Sequence, residues 1–184
     1  MKYIILLLFS LLVVGCGKKS SSEGSDSAGA SAEPSADTEV ERLLKEAVDV
    51  ESLEQREGLF YLNDELYSGW GKYMYSSEQA GGLLRFKDGK MDGPSTEWHE
   101  NGQKREEATW KDGVTHGPYT TWYPNGQKRK EGFNKDGKRQ GLVTELHSNG
   151  QKWSEVTYKD DEQVSAKYWN RKGEEVRTYR ESHK

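Results

Sequence analysis

The side chains best equipped for chemistry in this sequence are spaced so that they cannot cooperate. His99 and His147 lie 48 residues apart, while Glu107, Glu131 and Glu155 recur every 24 residues. The series Tyr75, His99, Tyr123 and His147 keeps the same 24-residue interval. If one interval is a pair of adjacent strands, equivalent residues stand about 10 Å apart, two strand spacings. Histidines two intervals apart cannot share a zinc ion, whose bonds to nitrogen are about 2 Å long. Carboxylates about 10 Å apart cannot hold a proton between them. Asp88-x-Lys90-x-Asp92-Gly93 has the outline of a calcium loop, but lysine fills a ligand position and His99 stands where the bidentate acid belongs. No serine sits on a nucleophile elbow, and no glycine-rich phosphate loop precedes a helix. The sequence therefore predicts no catalytic residue, no metal ligand and no cofactor, and reads as a binding protein rather than an enzyme. Its one reactive thiol is Cys16, the only cysteine, so an internal disulfide is excluded.

The surroundings of Cys16 give that thiol a use. Lys2 precedes an apolar run from Ile4 to Val14 that is too short to span a bilayer as a helix and has the composition of an export signal. The end of that run, Leu12-Val13-Val14-Gly15-Cys16, resembles the lipobox of bacterial lipoproteins. The resemblance implies cleavage before Cys16 and acylation of both its thiol and its new amine, which makes residues 1–15 a signal peptide. Several acyl chains anchor a protein where one alone binds weakly. The mature chain is thus expected in the cell envelope, attached to a membrane by lipid and not crossing it. Gly17 after the cysteine, in place of aspartate, implies the outer membrane in a Gram-negative cell.

Residues 16–37 are dominated by Ser, Ala, Gly and acids, the composition of a flexible linker. Random-coil scaling gives it a typical reach of about 25 Å. A short amphipathic helix is expected over 38–58, from the spacing of Val40, Leu43, Leu44, Ala47 and Val48. Thr38 and Glu41 form its capping box, and Gly58 is its expected stop. Residues 16–58 carry 5 basic and 11 acidic side chains, and residues 59–184 carry 21 and 20. Neither balance suits nucleic acid or anionic headgroups.

The 24-residue interval belongs to a whole repeated unit. Asn-Gly-Gln-Lys occurs at 101–104, 125–128 and 149–152, and Lys-Asp-Gly at 87–89, 111–113 and 135–137. Each unit therefore has two turns, one at Asn101-Gly102, Asn125-Gly126 or Asn149-Gly150 and one at Gly89, Gly113 or Gly137. Alternating polar and aromatic or β-branched residues between them are hairpin signals. Pro124 selects a type I turn at the first edge, with Gly126 in the left-handed bulge position. A two-residue turn there would leave Pro124 without a ladder donor. The ends of the array are degenerate, as the caps of stacked repeats must be.

Gly-Pro-x-x-x-Trp-[His/Tyr]-x-Asn-Gly-Gln-Lys at 93–104 and 117–128, continued as Gly-Leu-x-x-x-Leu-His-x-Asn-Gly-Gln-Lys at 141–152, resembles the MORN-type repeat. The form is the bacterial variant carried by YwqK-family antitoxin-like proteins. The resemblance implies a mainly β fold, an elongated single-layer antiparallel meander of about 24-residue units over 59–179, followed by a tail at 180–184.

One face is expected to carry Trp98, Trp122 and Leu146 together with Leu84, Ala108, Gly132 and Val156, the small residues leaving room for indole rings. The other is expected to carry Tyr75, His99, Tyr123 and His147 beside Arg105, Arg129 and the three glutamates, and to be the binding face. The leading function is a membrane-anchored scaffold for another protein. A glycan or peptidoglycan ligand is the second reading, because Tyr and Trp on an open sheet stack on sugars. Neutralisation of a toxin is a third, implied by the family resemblance. The first test is lipidation: labelled palmitate should enter the wild type and not Cys16→Ser, which should leave the membrane fraction. Equal labelling of the two would remove the anchor.

Overall fold

The computed structural model describes residues 35–183. The expected signal peptide, Cys16 and nearly all of the linker lie outside them. The chain opens with α1 (Ala36–Glu46) and continues through β1 (Val48–Asp49), β2 (Glu54–Arg56), β3 (Leu59–Leu62), β4 (Glu65–Leu66) and β5 (Gly69–Met74). Next come β6 (Ala80–Lys87), β7 (Lys90–Trp98), β8 (Lys104–Lys111), β9 (Val114–Trp122) and β10 (Lys128–Lys135). The remainder is β11 (Lys138–Arg139), β12 (Gly141–Leu146), β13 (Lys152–Lys159), β14 (Glu162–Trp169) and β15 (Glu175–Val176). From β5 onward, successive strands pair antiparallel in chain order, apart from β11, which sits beside β10. The expected meander is the architecture found.

The helix is shorter than its sequence pattern. Ser35, not Thr38, is the N-cap, its hydroxyl accepting from the Thr38 N–H at 3.3 Å. The helix closes at Glu46, and Gly58 is not its stop: it follows Glu57 in a tight turn between β2 and β3, with φ of 80° and 50° respectively. Tertiary contacts override the helical spacing here. Ala47 is extended, Val48 and Asp49 pair in parallel with Gly71 and Lys72, and Lys72 Nζ takes the Leu44 carbonyl at 2.7 Å. Leaving the helix lets β-branched Val48 and Val50 pack against the core.

That core lies at the start of the array. Phe86 is 1 % exposed and packs with Leu53, Tyr67 and Leu84, inside a shell that includes Phe60, Leu62 and Met91. The segment 59–66, at the degenerate start of the expected repeat domain, pairs with β2 in a separate three-stranded sheet, β2-β3-β4. The expected tail at 180–184 is docked in its described part: Ser182 is fully buried, and the Trp153 indole donates to its hydroxyl at 2.8 Å.

The turns follow the sequence. At Tyr123-Pro124-Asn125-Gly126 the Gly126 N–H donates to the Tyr123 carbonyl at 2.9 Å, and the Tyr123 N–H donates to the Gln127 carbonyl at 2.8 Å. That is a type I turn with a left-handed glycine, whose φ is 80°. At the other edge both central residues have positive φ, 50° at Asp112 and 87° at Gly113, the geometry of a type I′ turn. Gly126→Val forces a β-branched residue into the left-handed region and should cost about 1–3 kcal/mol. Exposed Lys111→Ala should stay within about 0.5 kcal/mol. Denaturant melts giving the reverse order would contradict the turn geometry.

Candidate functional site

Strand register divides the array into two faces, and the division differs from the one read from sequence. Leu84, Ser95, Ala108, Tyr119, Gly132, Val143, Val156 and Ala166 form one continuous row. Trp98, Trp122 and Leu146 belong to the opposite face, with Thr96, Glu107, Thr120, Glu131, Thr144 and Glu155. The reason is a bulge in every unit. Glu97 pairs with Glu106, but Trp98 pairs with Lys104, so Arg105 is an extra residue that breaks the alternation. Lys128–Lys130 and Glu145–Leu146 carry the same shift. Counting by twos across the bulge puts Trp98 and Ala108 together; the extra residue separates them.

On the Ala108 face, rings lie across glycines, as expected of small residues, but the rings are not the expected indoles. A Cβ on Gly132 would stand 2.9 Å from the Tyr119 hydroxyl, and one on Gly71 would stand 2.7 Å from Phe86. Burial, reinforced by the Glu145 charge, pushes the Tyr119 hydroxyl up to about 12. Arg139 stacks on the Tyr158 ring, 3.9 Å from its centroid, and binds Asp161 at 2.7 Å. The Asp161 carboxyl is thereby held below the usual carboxylate range.

The Tyr75, His99, Tyr123 and His147 column runs along the Asn-Gly edge, beside Arg105 and Arg129 as expected. Its polar atoms are committed to the next unit. Tyr75 Oη donates to the Trp98 carbonyl at 3.1 Å, and Tyr123 Oη to the Leu146 carbonyl at 2.9 Å. His99 Nε2 meets the Trp122 carbonyl at 3.0 Å and His147 Nε2 meets that of Trp169 at 3.2 Å, so each ring carries its proton on Nε2. Arg105 is paired with Glu97, and the Arg129 guanidinium lies 5.9 Å from the Tyr123 centroid. The three glutamates are absent from this column. They lie on the Trp122 face, where Lys104–Glu107, Lys128–Glu131 and Lys152–Glu155 pair at 2.5, 2.7 and 2.5 Å.

The Asn-Gly-Gln-Lys signature is explained residue by residue. Asn101, Asn125 and Asn149 each accept from the N–H two residues on at 3.1 Å, closing their own turn. Their amides donate onward to the Pro124, Ser148 and Arg171 carbonyls at 2.7, 3.1 and 3.1 Å. Gln103 packs against the bare Cα of Gly126, and Gln127 against that of Gly150. Lys104 lies over the Trp122 ring and Lys152 over the Trp169 ring, at 5.9 and 4.9 Å.

Sequence reasoning missed three of the exposed apolar groups. Val114, Phe133 and Leu142 are 44, 42 and 53 % exposed. Their register places all three on the Trp122 face: Val114 is opposite Lys111, and Phe133 and Leu142 lie two residues from the paired Glu131 and Thr144. The bulge-corrected alternation was the signal that would have found them.

Three tandem segments match the family model described as "MORN repeat variant": residues 91–112, 115–136 and 139–160. The matched stretches run from β7 to β13, so the repeats found by that comparison are the hairpin units of the sheet. No curated protein matches the chain. A solved structure of a mutant TarM from S. aureus, in complex with fondaparinux, alpha-GlcNAc-glycerol and UDP, is similar at 8% identity, covering 72% of this chain and 24% of that one. This chain spans about a quarter of that structure's length, and with a TM-score of 0.33 the likeness carries no argument.

The MORN-type unit is therefore held to its neighbour by the aromatic column. Tyr123→Phe keeps the ring and removes one hydrogen bond, which should cost about 0.5–1.5 kcal/mol in a denaturant melt. A melt identical to wild type would show that the Leu146 carbonyl contributes nothing through Tyr123.

Proposed function

We propose that this chain is a non-catalytic interaction scaffold, held on a membrane of the cell envelope by lipid on Cys16, and that a protein partner binds the Trp122 face. One observation carries the reading: Phe133 and Leu142, and Val114 at the Asp-Gly edge, are exposed on the face that also bears Trp98 and Trp122. Several apolar groups left exposed on one face of a sheet favour an interaction surface. The other face is closed at its start by β2-β3-β4 over Phe86 and at its end by Tyr179 and Ser182 over Trp153. Its edge column is spent on joining units, which favours the Trp122 face as the one free to recognise.

Aliphatic and phenyl side chains favour a protein over a glycan. Sugar recognition pairs flat rings with side chains free to bind hydroxyls, and here the glutamates between the rings are already bound by lysines. Neutralising a toxin would be one form of such protein binding.

Photo-cross-linking in cells tests this. A photoreactive residue at Leu142 should trap one discrete protein adduct, and the same residue at Arg129, on the bulge of the opposite face, should not. Equal adducts from both positions, or attachment to cell-wall material from Leu142, would overturn the reading.

A further inference from the structure

The last full strand is open along most of its outer edge. On its inner side β14 pairs with β13 from Glu162 to Tyr168, but on its outer side β15 meets only Tyr168 and Trp169. The chain then turns onto the Ala108 face, where Tyr179 packs on Trp153 and Tyr168. Residues 162–167 thus present an outer row of backbone N–H and C=O groups with no strand beside them, a template that an extended segment completes. Val164, within this run, is 65 % exposed, more than any other large apolar side chain among the described residues.

The register of β14 decides what fits. Thr157 pairs with Ser165, and the next residue, Tyr158, pairs with Gln163, so Val164 is the extra residue of a β-bulge. Glu162 and Lys167 lie opposite Lys159 and Glu155, which are four residues apart on β13 and share a face. The bulge therefore puts Glu162 and Lys167 on one face, although a spacing of five would separate them in a regular strand. No ion pair joins either of them to another described residue.

We infer that β14 pairs antiparallel with β14 of a second copy, about a two-fold axis perpendicular to the sheet. In that register Glu162 lies opposite the second copy's Lys167, Gln163 opposite its Ala166 and Val164 opposite its Ser165, and the axis repeats each pair. Opposite charges directly across two strands are favourable, and like charges there are not. Bulges and charged side chains are common guards against edge pairing. Here the guards match each other across the axis, which selects this chain's own edge over an arbitrary strand. The two Val164 residues flank the axis, where pairing takes their side chains partly out of water. An axis normal to the sheet turns neither copy over, so one sheet runs through both and both Trp122 faces point the same way. The inference is independent of what that face binds.

Sedimentation of the full chain in detergent, with micelles in large excess over protein, tests the pairing. The wild type should dimerise reversibly with concentration. Glu162→Lys and Lys167→Glu each turn two attractive pairs into like-charged ones, and each should weaken the dimer roughly tenfold or more. The variant carrying both substitutions restores opposite charges and should dimerise like the wild type, a pattern that neither misfolding nor clustering through lipid would produce. A wild type that stays monomeric, single variants that dimerise as tightly as it does, or a double variant as weak as the single ones would each overturn the inference.

Discussion

A sheet one layer thick has no second layer to hold it, so every unit must be fixed by the next one along. Backbone ladders alone would allow neighbouring hairpins to slide or twist apart. This chain adds side-chain bonds at both edges. At the Asn-Gly edge, the amides of Asn101, Asn125 and Asn149 and the ring atoms of Tyr75, His99, Tyr123 and His147 all reach carbonyls of the following unit. At the Asp-Gly edge, the Gly113 and Gly137 amides donate back to Met91 and Thr115, both at 2.9 Å. Asp92 and Gln140 accept from the turn amides of Asp112 and Asp160, at 3.2 and 2.9 Å. Each bond contributes only about 0.5–1.5 kcal/mol. Stability in such an array grows as a sum of nearest-neighbour terms, so their recurrence matters more than their strength.

The ends of the array show the same constraint from the other side. The first full strands have no preceding unit, and the chain covers them with an apolar core: Phe60 meets Phe86 edge-on at 5.0 Å, and Tyr67 meets it at 5.7 Å. At the far end, β15 pairs with β14 through only Tyr168–Val176 and Trp169–Glu175. The chain then turns onto the Ala108 face, where Tyr179 packs against Trp153 and Tyr168 at 5.7 and 6.0 Å. Repetition builds the middle, and irregular sequence closes the ends.

What the sequence revealed follows that division. Asn-Gly after Pro124 and Asp-Gly after Lys111 dictate turn geometry locally, so the meander and both turn types were legible. The helix end at Glu46 was not, because Val48 leaves the helical pattern for a long-range pairing with Gly71. The faces were misassigned because the extra residue at Arg105 and Arg129 leaves no mark in composition. One residue at a bulge moves a whole strand's side chains to the other side of the count. Burial at the far end of the column was likewise invisible: His147 is 9 % exposed because Trp153, across the hairpin, and Trp169, 22 residues on, close around it.

The recurring lysine–glutamate pairs bear on what the Trp122 face is for. Their side chains are partly solvent-exposed, between 29 and 52 %. Pairs so placed contribute about 0–1 kcal/mol, too little to be what holds the sheet together. Neither the turns nor the register needs them. Their effect is on what can approach. Two copies meeting through this face would have to take these charged pairs out of water, which opposes self-association of a surface that exposes Phe133 and Leu142. The pairs thus keep an apolar face in solution while leaving it near neutral in each unit, a combination suited to recognition and not required by the fold.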